Sequence, residues 1–311
     1  MMLAELALYS DRLFVAAAAI YAFAMVLHAV EFAAGRAKTS VLVGAGGPET
    51  GTDTTPDAAQ APRRSRAERF GRMGVALVVL GALLHTASIV TRGMAAERWP
   101  LGNMYEFLSA ICLAAVVTWL VVLRRAPASR PAGPFVLLLV MVLMLLADSV
   151  LYAPAGPVVP PLRSYWMSIH VSTISISSGL LLVAGVASLL YLLRLTDALP
   201  KATEKLPTAD ALDRLAYRVT IVAFPLFTFA IITGAIWAEA AWGRFWGWDP
   251  KETVAFVSWV IYAAYLHARA TAGWRTGRAA WVNVAGFATI LFNLFFINMV
   301  VAGLHSYAGV G

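Results

Sequence analysis

Apolar residues run along this chain in long uninterrupted stretches, and the polar residues gather between the stretches. Eight stretches reach the length of about 20 residues that a helix needs to cross a hydrocarbon core. They cover roughly residues 13–34, 73–91, 103–123, 134–152, 169–193, 218–238, 252–270 and 281–304. In lipid a helix satisfies its own backbone hydrogen bonds, so each stretch predicts a transmembrane helix. The expected fold is all-α: a polytopic integral membrane bundle of about eight helices. The first stretch begins after Asp11 and Arg12, has no basic segment before it and is followed by a basic loop. That reads as a retained span and not as a cleaved signal.

Composition agrees. Only 13% of the 311 residues are charged, against about a quarter in a soluble domain. The net charge of +7 alone would suggest nucleic acid, but its distribution argues for topology instead. Of 24 Lys and Arg residues, 18 fall in alternate loops on one side, those after spans one, three, five and seven. The other side holds Arg12, Arg92, Arg98, Arg163, Arg244 and Lys251. The positive-inside rule then predicts both termini outside.

Within the first inner loop, VGAGGPETGTDTTPDAAQAP is nearly free of large apolar residues and cannot bury enough surface to order itself. The expected organisation is a first helix (1–34), a flexible basic cytoplasmic linker (35–72) and a transmembrane core (73–311) with an external loop at 239–252. The single cysteine, Cys112, lies in an apolar run and reads as a small buried side chain. No Gly-rich phosphate loop, Ser-His-Asp arrangement or thiol pair is evident.

The external loop reads WGRFWGWDPKE, with Trp242, Trp246 and Trp248 separated by Gly243 and Gly247. Asp249, Pro250 and Glu252 fit the N-cap, first and third positions of the next helix. Tryptophan also anchors helices at membrane interfaces. Three indoles in one loop, with glycines that permit close approach, additionally suit a flat conjugated ligand. Arg244 and Lys251 are placed to pair with carboxylates on it. A planar apolar ligand with two carboxylates describes haem.

Five histidines, His28, His85, His170, His267 and His305, lie within or at the ends of apolar spans. Ionisable groups there are rare and functional by default, although one alone can be a packing residue. His170 and His305 fall at the level of the tryptophan loop and can approach one iron from opposite sides as axial ligands. From Asp249 to His267 is about 27 Å of helix, which puts His267 near the inner boundary. Its partner there is His28, by depth, or a residue of another chain; His85 lies nearer the middle. Asn293, Asn298 and the STISISSG stretch suit helix packing or the orientation of His170 or His305. Asp148 and Glu31 are candidates to line a haem path, with an interfacial snorkelling position simpler for Glu31.

The stretch WGRFWGWDPKETVAFVSWVIYAAYLHAR resembles the WWD signature of the haem-handling protein family, in its system II branch (CcsA, or ResC). RWPLGNMYEFL and the spacing of His170, His267 and His305 extend the resemblance from about residue 70 onward. It implies cytochrome c biogenesis: haem b is moved from the cytoplasmic side to the outer face of a bacterial plasma membrane. It is presented there to an apocytochrome, whose C-x-x-C-H thiols react with the vinyl groups. It further implies His170 and His305 as external axial ligands, His267 as an intramembrane ligand, and Trp242, Trp246, Trp248 and Asp249 as haem-contacting residues. A separate ResB/CcsB-type membrane partner is implied to supply the second intramembrane histidine. The competing readings are an exporter of haem or another planar anion without ligation activity, and a membrane scaffold anchored by its aromatics.

Overall fold

The computed structural model describes residues 2–34, 66–196, 200–271, 273–274 and 277–305. Eight long helices organise them: α1 (Met2–Ala34), α2 (Arg66–Ala96), α3 (Met104–Arg125), α4 (Gly133–Ser149), α5 (Tyr165–Leu195), α6 (Ala209–Trp242), α7 (Pro250–Ala270) and α8 (Gly277–Phe292). Among the described residues there is no strand. All except α7 belong to segments long and apolar enough to cross a membrane. At 21 residues α7 has the length, but its tyrosines, His267 and Arg269 make it less apolar. The chain is a multi-pass helical membrane protein.

Helix ends differ from the apolar runs, because caps and not hydropathy terminate them. Backbone helix begins at Arg66, so the basic end of the expected linker is part of α2; residues 35–65 lie outside the described residues. Asn103 caps α3 by accepting the Glu106 N–H at 2.9 Å. At its far end α6 stops at Gly243, whose φ of +70° is a left-handed conformation that glycine adopts without a Cβ penalty. The last helix differs most from expectation. It is α-helical only to Phe292, passes through a π-helical turn over Asn293–Ile297, and ends before residue 301.

Two groups of helices form. One packs α1 against α2 and α4; the other packs α5 against α3, α6 and α8, with α7 resting on α6 and α8. Small residues allow the close approaches that membrane helices depend on. A buried ionic cluster closes one end of the first group. Arg92, 2% exposed, donates to Asp11 at 3.2 Å and Glu106 at 3.1 Å and to the Ala153 carbonyl. Arg98 adds a second contact to Glu106 at 2.8 Å.

Candidate functional site

Between α3, α5, α6, α7 and α8 lies a cavity of about 1410 Å³, counting the part open to solvent. His170, Trp242, Trp246, Lys251 and His305 line it together. From His170 it runs down α5 past Ile174 and Ser178 to Leu182, twelve residues or about 18 Å of helix. Its walls are apolar below and aromatic at the tryptophan-loop end.

Each of the two lining histidines is held by one ring nitrogen. His170 Nδ1 sits 2.7 Å from the Ala230 carbonyl. A carbonyl only accepts, so Nδ1 carries the proton and the lone pair is on Nε2. Gly234 makes room for this ring: a Cβ there would lie 2.7 Å from His170 Cε1. His305 Nδ1 donates to Asp249 Oδ1 at 3.0 Å, which again places the lone pair on Nε2. Metal-binding histidines are oriented by such partners. Burial lowers the basicity of His305, and its hydrogen bond to Asp249 works against that.

Asp249 joins two elements. The Lys251 N–H donates to it at 3.0 Å, and its own N–H donates to Glu252 Oε2 at 3.0 Å, completing the expected capping box. It also accepts the Leu304 N–H at 2.8 Å. The same carboxylate therefore starts α7 and fastens the segment that carries His305. Burial pushes this carboxyl up, but the hydrogen bonds from His305, Leu304 and Lys251 prevail and bring it down to about 2. Its depressed value adds stability that is fully present above the ordinary carboxylate range and is lost progressively as pH falls from there through about 2.

Trp237, unmarked by any sequence motif, also belongs to this end of the cavity. Buried within α6, its ring lies 5.7 Å from both His170 and His305, nearly parallel to the first at 16° and edge-on to the second. Its Nε1 donates to the Pro161 carbonyl at 2.9 Å, and Trp242 packs against it at 4.9 Å. Spacing gave no signal for it: five residues on a regular helix put Trp237 and Trp242 about 140° apart around the axis. Phe107 and Met104, from the RWPLGNMYEFL segment, also line the cavity.

Other expected site residues lie elsewhere. Trp248, with φ of +57° and 65% exposed, packs edge-on against Trp246 outside the cavity lining. Arg244 is paired with Glu252 at 3.3 Å. His267 is exposed at the far end of α7, on the same outward face as Phe256, Val260 and Ala264. His28 is buried where Gly74 and Gly133 let α2 and α4 approach it, and α1 packs on those helices, not on α7. His85 is buried against Phe14 and hydrogen-bonded to Ser109 at 2.9 Å. Neither joins His267. Asn293 and Asn298 contact Lys251 and not the histidines. Glu31 is paired with Arg130, and Asp148 is exposed on α4; neither lines the cavity. Cys112 is buried in α3.

Residues 101–305 match the family described as cytochrome c assembly protein. The cytochrome c biogenesis protein CcsA of Parasynechococcus marenigrum (strain WH8102) is 36% identical over 262 residues, covering 74% of this chain and 85% of the relative. The protein of that name from Prochlorococcus marinus (strain MIT 9313) is 35% identical over 263 residues, covering 74% and 82%. Among solved structures, the cytochrome c haem lyase CcmF aligns over 93% of this chain with a TM-score of 0.64 at 17% identity. This chain spans 46% of that one, and the likeness is one of fold.

Proposed function

This chain belongs to the cytochrome c assembly family, and from that premise we propose that its cavity holds haem for attachment to apocytochrome c. Its place is cytochrome c biogenesis. In the proposed reaction each apocytochrome thiol adds across a haem vinyl group. A carbon–sulfur bond forms, the thiol proton goes to the neighbouring vinyl carbon, and no oxidant is consumed. The protein contributes no thiol, since its one cysteine is buried in α3. Its contribution is proximity, the fixing of the porphyrin edge against the thiols.

One observation carries the reading. His170 and His305 line the same cavity and are both tied by Nδ1 to fixed acceptors, which suits Nε2 for iron. Trp242 and Trp246 supply flat walls, Trp248 extends the rim, and Asp249 and Trp237 fix the ligand histidines. Haem b is the substrate, and the tryptophan loop lies on the outer face of the bacterial plasma membrane. His267, on an exposed helix face, belongs to an inner site whose other ligand comes from a ResB/CcsB-type partner.

The test is coexpression of the chain and its partner with an apocytochrome, followed by spectra of the purified complex. Wild type yields covalent cytochrome and a low-spin Soret band. His170→Ala and His305→Ala each lose that signature at the outer site, while His267→Ala lowers haem content by the inner share. Free haem outside without covalent product would favour an exporter. Colourless protein from haem-replete cells would overturn the haem reading.

A further inference from the structure

Lys251 presents a puzzle that the histidines do not explain. It lines the cavity and is the one cation to do so among the described residues. Of the other basic groups near this end of the bundle, Arg92 and Arg98 share Glu106 and Arg244 holds Glu252, while exposed Arg163 donates to the Val158 carbonyl; none of the four lines the cavity. Lys251 Nζ instead rests on a neutral amide, Asn298 Oδ1 at 2.5 Å, and lies 5.8 Å from the Phe107 ring. Asp249, two residues away, is occupied by His305 and Leu304. The Asp249 carboxylate thus acts on Lys251 through space, and the ammonium's hydrogen bond goes to the neutral amide.

The helix backbone facing Lys251 is irregular. Asn293 and Asn298 are five residues apart, which on a regular α-helix separates them by about 140° around the axis. The π-helical turn over Asn293–Ile297 brings them to one side. Asn293 Nδ2 then donates to the Lys251 carbonyl at 3.2 Å while Asn298 accepts from the ammonium. Asn298 is itself held by the Leu294 carbonyl at 2.7 Å. One helix irregularity thus fixes both ends of one lysine.

We propose that Lys251 is the residue that selects the cavity's ligand by charge, pairing with a carboxylate on the porphyrin edge, and that Arg244 has no such part. The Asn293–Asn298 turn positions it. The proposal rests on the haem reading and deepens it: the site takes a porphyrin carrying a free carboxylate and rejects the same porphyrin with its carboxylates esterified. The edge without carboxylates is thereby turned away from Lys251.

The experiment compares binding of haem and haem dimethyl ester to the purified protein by the Soret shift of histidine ligation. Wild type prefers the free acid by about tenfold to hundredfold, the worth of one charge-assisted hydrogen bond. Lys251→Met binds both ligands with the ester's affinity, Lys251→Arg keeps the preference, and Arg244→Met leaves it unchanged. Equal binding of acid and ester by wild type overturns the proposal without needing any variant to fold. A preference retained in Lys251→Met, or abolished in Arg244→Met, overturns it as well. Failure of both porphyrins to give a histidine-ligated band would instead strike the haem reading, and this proposal with it.

Discussion

Asp249→Asn separates the two tasks of one carboxylate. Asparagine caps helices about as well as aspartate, so the start of α7 survives. Its oxygen can still accept the Lys251 N–H and His305 Nδ1, now 3.0 Å from Asp249 Oδ1. Two things are lost. With a carboxyl held down at about 2, aspartate is fully charged at neutral pH and asparagine is not. The new amide NH2 also faces the Leu304 N–H, now 2.8 Å from Oδ2. An unsatisfied donor costs about 1–3 kcal/mol, so the 301–305 segment loosens. Removing the carboxylate behind a metal-binding histidine costs about 10–100-fold in affinity. The expected result is a tenfold or greater loss of haem affinity in a Soret titration, with helix content by circular dichroism unchanged. Asp249→Ala loses the cap as well, and melts with about 1 kcal/mol less stability than the asparagine variant. Wild-type haem affinity in Asp249→Asn would refute the argument that this charge acts through His305.

Two further outcomes follow from packing. Gly234→Ala puts a Cβ 2.7 Å from His170 Cε1 and 2.8 Å from Nδ1; the ring must tilt away from the Ala230 carbonyl, and haem affinity falls about tenfold while thermal unfolding shifts by the 1–3 kcal/mol of an overpacked contact. Arg92→Met removes the hub joining Asp11, Glu106 and Ala153; Glu106 keeps Arg98, so the loss is near the lower end of the 3–5 kcal/mol of a broken buried pair, read by thermal unfolding with haem affinity little changed.

Much of the architecture was legible in the chain because hydrocarbon is an undemanding solvent to read. Long apolar runs have one way to satisfy their backbone, so helix number and type follow from length alone. The capping box at Asp249, Pro250 and Glu252 was legible for a similar reason: it is made from neighbours in sequence. Contacts between distant residues were not. Nothing local says that Asp249 reaches Leu304 and His305, that Trp237 lies beside both His170 and His305, or that Arg244 is spent on Glu252 while Lys251 is not. Depth along a helix placed the histidines at their levels, but the side of the helix they face depends on which neighbours pack there. That decision separated His267, on an exposed face of α7, from His28, enclosed by α2 and α4. The π-helical turn was equally hidden: within it Asn293 donates to the Lys251 carbonyl, a contact with another helix that nothing local announces.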